Sequence, residues 1–234
     1  NKQTKDNIAF REVAVKTGQI YRGHDLLKLL RLSQEQLMNT TMFVNVSIAK
    51  YPGPKGTIDI VITVNERWYI FPIPYFKVVD RNWNVWIDEY KASLSRTQFG
   101  LKLSHNNTSG RNDKLNIWVI GGYTQQLEFK YQLPYVDRKM EKGFNVGMSY
   151  GKNRELNFAT DSNKQQFHTL PNFGREFLRA EATFSYRRGS QMRFYLRSIF
   201  GYERIDSAFF KLNPRYINGR TQATFVDITA NYQY

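Results

Sequence analysis

Apolar and polar side chains alternate one by one along most of residues 94–234. In 126–133, Leu127, Phe129, Tyr131 and Leu133 fall on one side, and Gln126, Glu128, Lys130 and Gln132 on the other. Successive side chains of a strand point to opposite faces, so each such stretch predicts a strand with one apolar and one polar face. Eight stretches read this way: 97–105, 114–121, 126–133, 143–151, 154–160, 177–187, 191–204 and 225–234. The connections 106–113, 134–142, 161–174 and 205–221 are long, whereas 122–124, 152–153 and 188–190 are short. Membrane barrels have short turns at one mouth and longer loops at the other. The layout therefore predicts a mainly β chain, an antiparallel transmembrane β-barrel with its apolar face to lipid and its polar face to the lumen.

Residues 1–68 have a different texture. The pattern predicts a strand over 8–15, a short helix over 24–31 and a second helix over 33–38. Ser33 is read as the N-cap of that second helix, with Gln36 as its capping-box partner. Strands follow over 42–48 and 57–64, joined by a turn at 51–56 rich in Pro and Gly. The predicted order is β-α-α-β-β, a small sheet covered by helices. Residues 69–93 read as an aromatic junction. Pro72 and Pro74 argue against a regular central strand there. The aromatic density suits either a membrane-interface belt or a seam between domains.

Composition fits a barrel. Of 234 residues, 41% are hydrophobic and 15% aromatic, and no apolar run is long enough for a membrane helix. Strand alternation halves the hydropathy of each crossing, so none is needed. The absence of Cys excludes disulfides and thiol chemistry. The polar start at 1–6 carries no leader pattern and reads as the beginning of a mature or truncated chain. The net charge of +14 would suit nucleic acid or anionic lipid. The Lys and Arg residues are scattered, however, and the aromatics share a face with Leu, Val and Ile, so nucleic acid is not expected as a partner. No enzyme chemistry is legible. His24, His105 and His168 have no metal-ligand spacing. Asp88 and Glu89 are adjacent and point apart on an extended chain. The segment 53–57 lacks the spacing of a phosphate loop. No catalytic residue, cofactor site or metal site is expected.

Three stretches carry a family resemblance: residues 40–46 (Thr-Thr-Met-Phe-Val-Asn-Val), residues 64–69 (Val-Asn-Glu-Arg-Trp-Tyr) with Pro72-Ile73-Pro74, and residues 107–113 followed by Leu133-Pro134-Tyr135. The first part resembles a POTRA domain. The whole resembles a compact, single-POTRA member of the BamA/TamA-type outer-membrane assembly superfamily (bacterial surface antigen). The resemblance implies three parts: a periplasmic POTRA-like domain over 1–68, the junction over 69–93, and outer-membrane barrel strands over 94–234. With the first of those strands running outward, strand parity places the loops 106–113, 162–174 and 205–221 on the opposite side of the membrane from residues 1–68, and Asn153 on the same side as residues 1–68. Family barrels have sixteen strands, and the family's lumen-loop motif of the Val-Arg-Gly-Phe type is absent here, so the chain reads as the first half of such a barrel. A complete eight-stranded barrel is the alternative. Its narrow interior would not suit the excess of cations on the polar face. The expected lumen residues are Glu128, Lys130, Arg179, Glu181, Arg193 and Arg197.

The resemblance further implies an assembly or translocation factor. Its implied partners are unfolded outer-membrane clients, outer-membrane lipid or lipopolysaccharide, and other assembly subunits. Its client-binding edge would be the first barrel strand, assigned here to Ser95, Thr97, Gln98, Phe99, Gly100, Leu101, Lys102 and Leu103. Gly100 is read as weakening that strand's pairing. A passive pore without insertase activity and a soluble, basic, nucleic-acid-binding β protein are the competing readings.

Overall fold

The computed structural model describes residues 3–80, 82–137, 139–161, 164–188 and 192–233. The chain divides into two compact units, one of residues 1–70 with 106–113, the other of 71–105 with 114–234.

The first unit is built from α1 (Asp6–Arg11), α2 (Gly23–Asn39), β1 (Phe43–Pro52) and β2 (Ile58–Glu66). The two strands pair antiparallel, with Val46 opposite Val64 and Ile48 opposite Ile62. Two sequence expectations change here. The strand expected over 8–15 is the short helix α1, and the two expected helices are the single 17-residue α2. Leu26, Leu30, Ser33 and Leu37 recur at helical spacing and form one buried stripe, which carries the helix straight through Ser33. Ser33 is no N-cap: its hydroxyl donates to the Leu29 carbonyl at 2.7 Å and accepts from the Ala14 N–H at 2.9 Å. The core gathers Ile8, Leu37, Met42, Phe43, Val46 and Tyr69. Ile8 enters it from a helix, and a single apolar residue does so equally well from either conformation.

The second unit is dominated by one antiparallel sheet of eight strands. In chain order these are β3 (Ile70–Val78), β4 (Thr97–Asn106), β5 (Lys114–Gly122), β6 (Thr124–Leu133), β7 (Lys142–Asn153), β10 (Arg175–Arg188), β11 (Met192–Ile205) and β12 (Gln222–Gln233). Each lies beside its predecessor, and β3 and β12 are the two edges. Eight strands were expected, but the membership differs. Residues 70–78, assigned to the junction, are a strand. Its prolines are accommodated because β3 is at an edge, where one row of N–H groups has no ladder partner to lose. Conversely, the stretch 154–160 is not part of the large sheet. It forms β8 (Glu155–Asp161), which pairs only with β9 (Lys164–Thr169) in a separate hairpin. Alternation identifies a strand but not its partner, so the pattern could not separate a sheet strand from a strand within a loop.

The near end of the sheet is where β3 begins. The connections at 107–113 and 134–141 are at the near end, where β10 also ends and β11 begins, and those at 79–96, 154–174 and 206–221 are at the far end. The turn expected at 188–190 falls at Gly189 and Ser190 outside the described residues. Both of the last two far-end connections carry structure. Helix α3 (Ser207–Leu212) is N-capped by Asp206, whose carboxylate accepts from the Ala208 N–H at 2.8 Å. Its Phe209, 1% exposed, packs with Leu156 and Ile205. His168, expected in a loop, lies on β9 with its ring edge-on to Phe209 at 5.8 Å.

Candidate functional site

The register of the large sheet matches apolar residues to apolar residues on one face. Phe129 is opposite Ile117 on β5 and Met148 on β7, and Phe184 is opposite Phe144 and Leu196. Phe194 is opposite Tyr186 and Tyr232. Among the described residues nothing covers this face: Leu127 is 52% exposed, Met148 52% and Ile228 70%. An uncovered apolar sheet of this size does not persist in water, and a bilayer is the solvent that satisfies it.

The opposite face is polar. Glu128, Lys130, Arg179, Glu181 and Arg197 come together around one hollow of about 400 Å³, joined by Asp227. Lys130 pairs with Glu128 at 3.0 Å, and Arg197 pairs with Glu181. Arg193, the sixth expected lumen residue, lies nearer the near end, registered between Arg187 and Gln233. Lys102 sits between the rings of Tyr75 and Trp118, 4.4 and 4.1 Å from their centroids. The sequence reading missed the aromatics on this polar face. Phe177 lies over Gly151 and Phe225 over Gly201, each opposite its glycine in register, and a Cβ on either glycine would come within 2.5 Å of the ring. The signal was legible in hindsight: a lone Phe on a polar face facing a glycine one strand away.

The residues proposed as a client-binding edge, Ser95 through Leu103, are not at an edge. Thr97, Gln98, Phe99, Gly100, Leu101, Lys102 and Leu103 lie on β4, paired on both sides by β3 and β5, and Ser95 is in the turn before it. The edge is β3. Gly100 has the reverse of the expected role: a Cβ there would lie 2.0 Å from the Val119 carbonyl, so its hydrogen permits close β4–β5 approach rather than weakening it.

The first unit contains a second polar constellation. The Glu66 carboxylate accepts the backbone N–H of Gln3 at 2.9 Å and of Thr4 at 2.6 Å. Burial pushes this carboxyl up, but those amides and the Thr4 hydroxyl pull it further down, and its pKa lies below the ordinary value. The Thr4 hydroxyl is 3.1 Å from the Tyr69 hydroxyl and accepts from the Asn107 side-chain amide at 2.8 Å. Tyr69 in turn donates to the Met42 carbonyl at 2.9 Å. Lys5 donates its N–H to the Gly110 carbonyl at 3.1 Å. Asn107 and Asp113 are fully buried. The turn 106–113, expected on the opposite side of a membrane from residues 1–68, is thus built into their fold. The unrecognised strand β3 reverses the parity on which that expectation rested. Loops 162–174 and 205–221 keep their expected end because counting 154–160 as a sheet strand reversed it again; Ser162 itself is outside the described residues. Asn153, expected on the POTRA side, ends β7 at the far end.

A small α/β unit followed by an open, amphipathic antiparallel sheet defines a class: a transmembrane β-barrel fold with an accessory α/β domain. Residues 1–67 match the family model described as "POTRA: Surface antigen variable number repeat". The chain superposes on BamA from Haemophilus ducreyi lacking POTRA domains 1–3 with a TM-score of 0.59 and 13% identity, over 98% of its own length and 41% of that chain. Fold matches to CdiB from Acinetobacter baumannii (TM-score 0.45) and from Escherichia coli (TM-score 0.48) are each at 14% identity, over 98% of this chain and 39% of those. No curated protein sequence matches. The chain spans about two fifths of the length of these structures. Residues 1–67 match a POTRA domain, and the chain has the fold of the corresponding part of that BamA structure, with a sheet that does not close on itself among the described residues.

Proposed function

We propose that this chain belongs to an outer-membrane assembly or translocation factor, with the POTRA domain in the periplasm and the eight-stranded sheet forming part of a barrel wall. The observation that carries the reading is the conjunction of a POTRA domain with an amphipathic antiparallel sheet whose first strand, β3, has one side unpaired among the described residues. Among the described residues the POTRA sheet consists of β1 and β2 and also has unpaired edges. Beside β2 runs a groove of about 840 Å³, lined in part by Val13, Ile20, Tyr21, Ile58, Ile60 and Ile62. An extended client segment adds to such edges through main-chain hydrogen bonds. Its strands then gain the lipid-facing surface that β3 continues. The reading requires no nucleotide, cofactor or catalytic group, because edge pairing and apolar burial provide the driving force.

The test uses the full protein in lipid vesicles with an unfolded barrel client. A cysteine at Ile73 on β3 should cross-link to a client strand during insertion, whereas one at Leu103 on β4 should not. Ion conductance with no effect on client insertion, and no cross-link from Ile73, would establish the passive-pore reading instead.

A further inference from the structure

The two prolines of β3 have a shared direction. Val79 donates its N–H to the Arg96 carbonyl at 3.0 Å, and Asn106 donates to the Tyr69 carbonyl at 2.8 Å. Both pairs fit one antiparallel register between β3 and β4. Hydrogen-bonding groups alternate edges along a strand, so the odd-numbered residues of β3 face β4. The even-numbered ones, Ile70, Pro72, Pro74, Phe76 and Val78, face the free edge. Pro has no N–H. The middle of that edge therefore has carbonyl acceptors but no donors between Ile70 and Phe76. The other sheet edge differs: β12 contains no proline along Gln222–Gln233.

Side chains point the same way. Tyr75 contacts Gln98 and Lys102 on the polar face, which puts its neighbours Pro74 and Phe76 on the apolar face. The donor gap thus lies in a strand whose outer face is offered to lipid. A strand docked there would have two central carbonyls facing Pro72 and Pro74. In hydrocarbon no water replaces the missing partners.

We infer that Pro72 and Pro74 are positioning residues that keep the β3 edge openable. The edge binds an extended amphipathic strand whose N–H groups donate into the β3 carbonyls. That strand leaves again because its own central carbonyls stay unpaired. This inference rests on the proposed assembly function for its consequence, though not for its geometry.

The experiment compares the full protein with its Pro72→Ala/Pro74→Ala variant in vesicles. Hydrogen exchange at β3 reads opening of the edge, and client insertion is timed separately. Each restored N–H should reduce edge opening about tenfold, equivalent to ~1.4 kcal/mol. Phe76→Pro, which removes a further free-edge donor, should increase opening. Pro134→Ala, in a near-end loop, controls for the general effect of losing a proline on the unfolded chain. Unchanged opening in both edge variants overturns the inference. If opening falls in the double variant and client insertion slows with it, the inference and the assembly reading both stand. If opening falls while insertion keeps its rate, the role of the prolines stands and the assembly reading fails.

Discussion

Replacing Phe129 with Arg tests the assignment of the two sheet faces. Phe129 is the sixth of the ten residues of β6. At ~3.3 Å per residue the strand is ~33 Å long, and a tilt of about 40° makes it span roughly the 25 Å apolar band of a barrel. Phe129 therefore sits near the midplane, on the face where Ile117 and Met148 flank it. An Arg at that depth costs about 2–4 kcal/mol, roughly 30- to 1000-fold in the folding equilibrium. The adjacent residue gives the contrast. Lys130 is on the polar face, half-exposed and paired with Glu128 at 3.0 Å. Lys130→Gln removes a solvent-screened ion pair and should cost less than about 1 kcal/mol. Urea titration of folding into lipid vesicles measures both variants in one assay. Equal costs, or a larger cost for Lys130→Gln, would refute the assignment of lipid and lumen faces.

Gly100→Ala should destabilise the sheet by roughly 1–3 kcal/mol in the same assay, because its Cβ would meet the backbone of β5 at 2.0 Å. Single cysteines at Ser109 and Asn218, both exposed and at opposite ends of the sheet, should differ in intact cells. Asn218→Cys should react with an impermeant thiol reagent, and Ser109→Cys only after the outer membrane is permeabilised. Glu66, whose carboxyl is held below its ordinary pKa, stabilises the segment 3–5 above the unfolded-state value near 4.5. That stabilisation should disappear as pH falls through the lower folded-state value, and Glu66→Gln should remove the acid transition. Proteolysis of the N-terminal segment across an acid titration reads this directly. Phe209→Ala should cost about 3–5 kcal/mol in the local stability of the far-end hairpin and α3, measured by hydrogen exchange at β8 and β9.

The sequence alone determined what depends on a period. Residues 97–105, 114–121, 126–133, 143–151, 177–187, 191–204 and 225–234 fall within or close to sheet strands, because one face must be apolar and the other polar at every crossing. The same alternation placed Glu128, Lys130, Arg179, Glu181 and Arg197 on one face, where the structure draws them around a single hollow. What the tertiary structure decided was pairing. Residues 70–78 and 154–160 both look locally extended, yet only the first joins the large sheet. Pro72 and Pro74 argued against a strand as long as its place in the sheet was unknown. At an edge they are tolerated, and there they acquire meaning. The cluster of Thr4, Glu66, Tyr69 and Asn107 was likewise illegible, since it joins residues up to about a hundred positions apart through hydrogen bonds that no local pattern records. Periodicity is a property of one segment, whereas an edge, a hydrogen-bond partner and a loop's side of the sheet are properties of how segments meet.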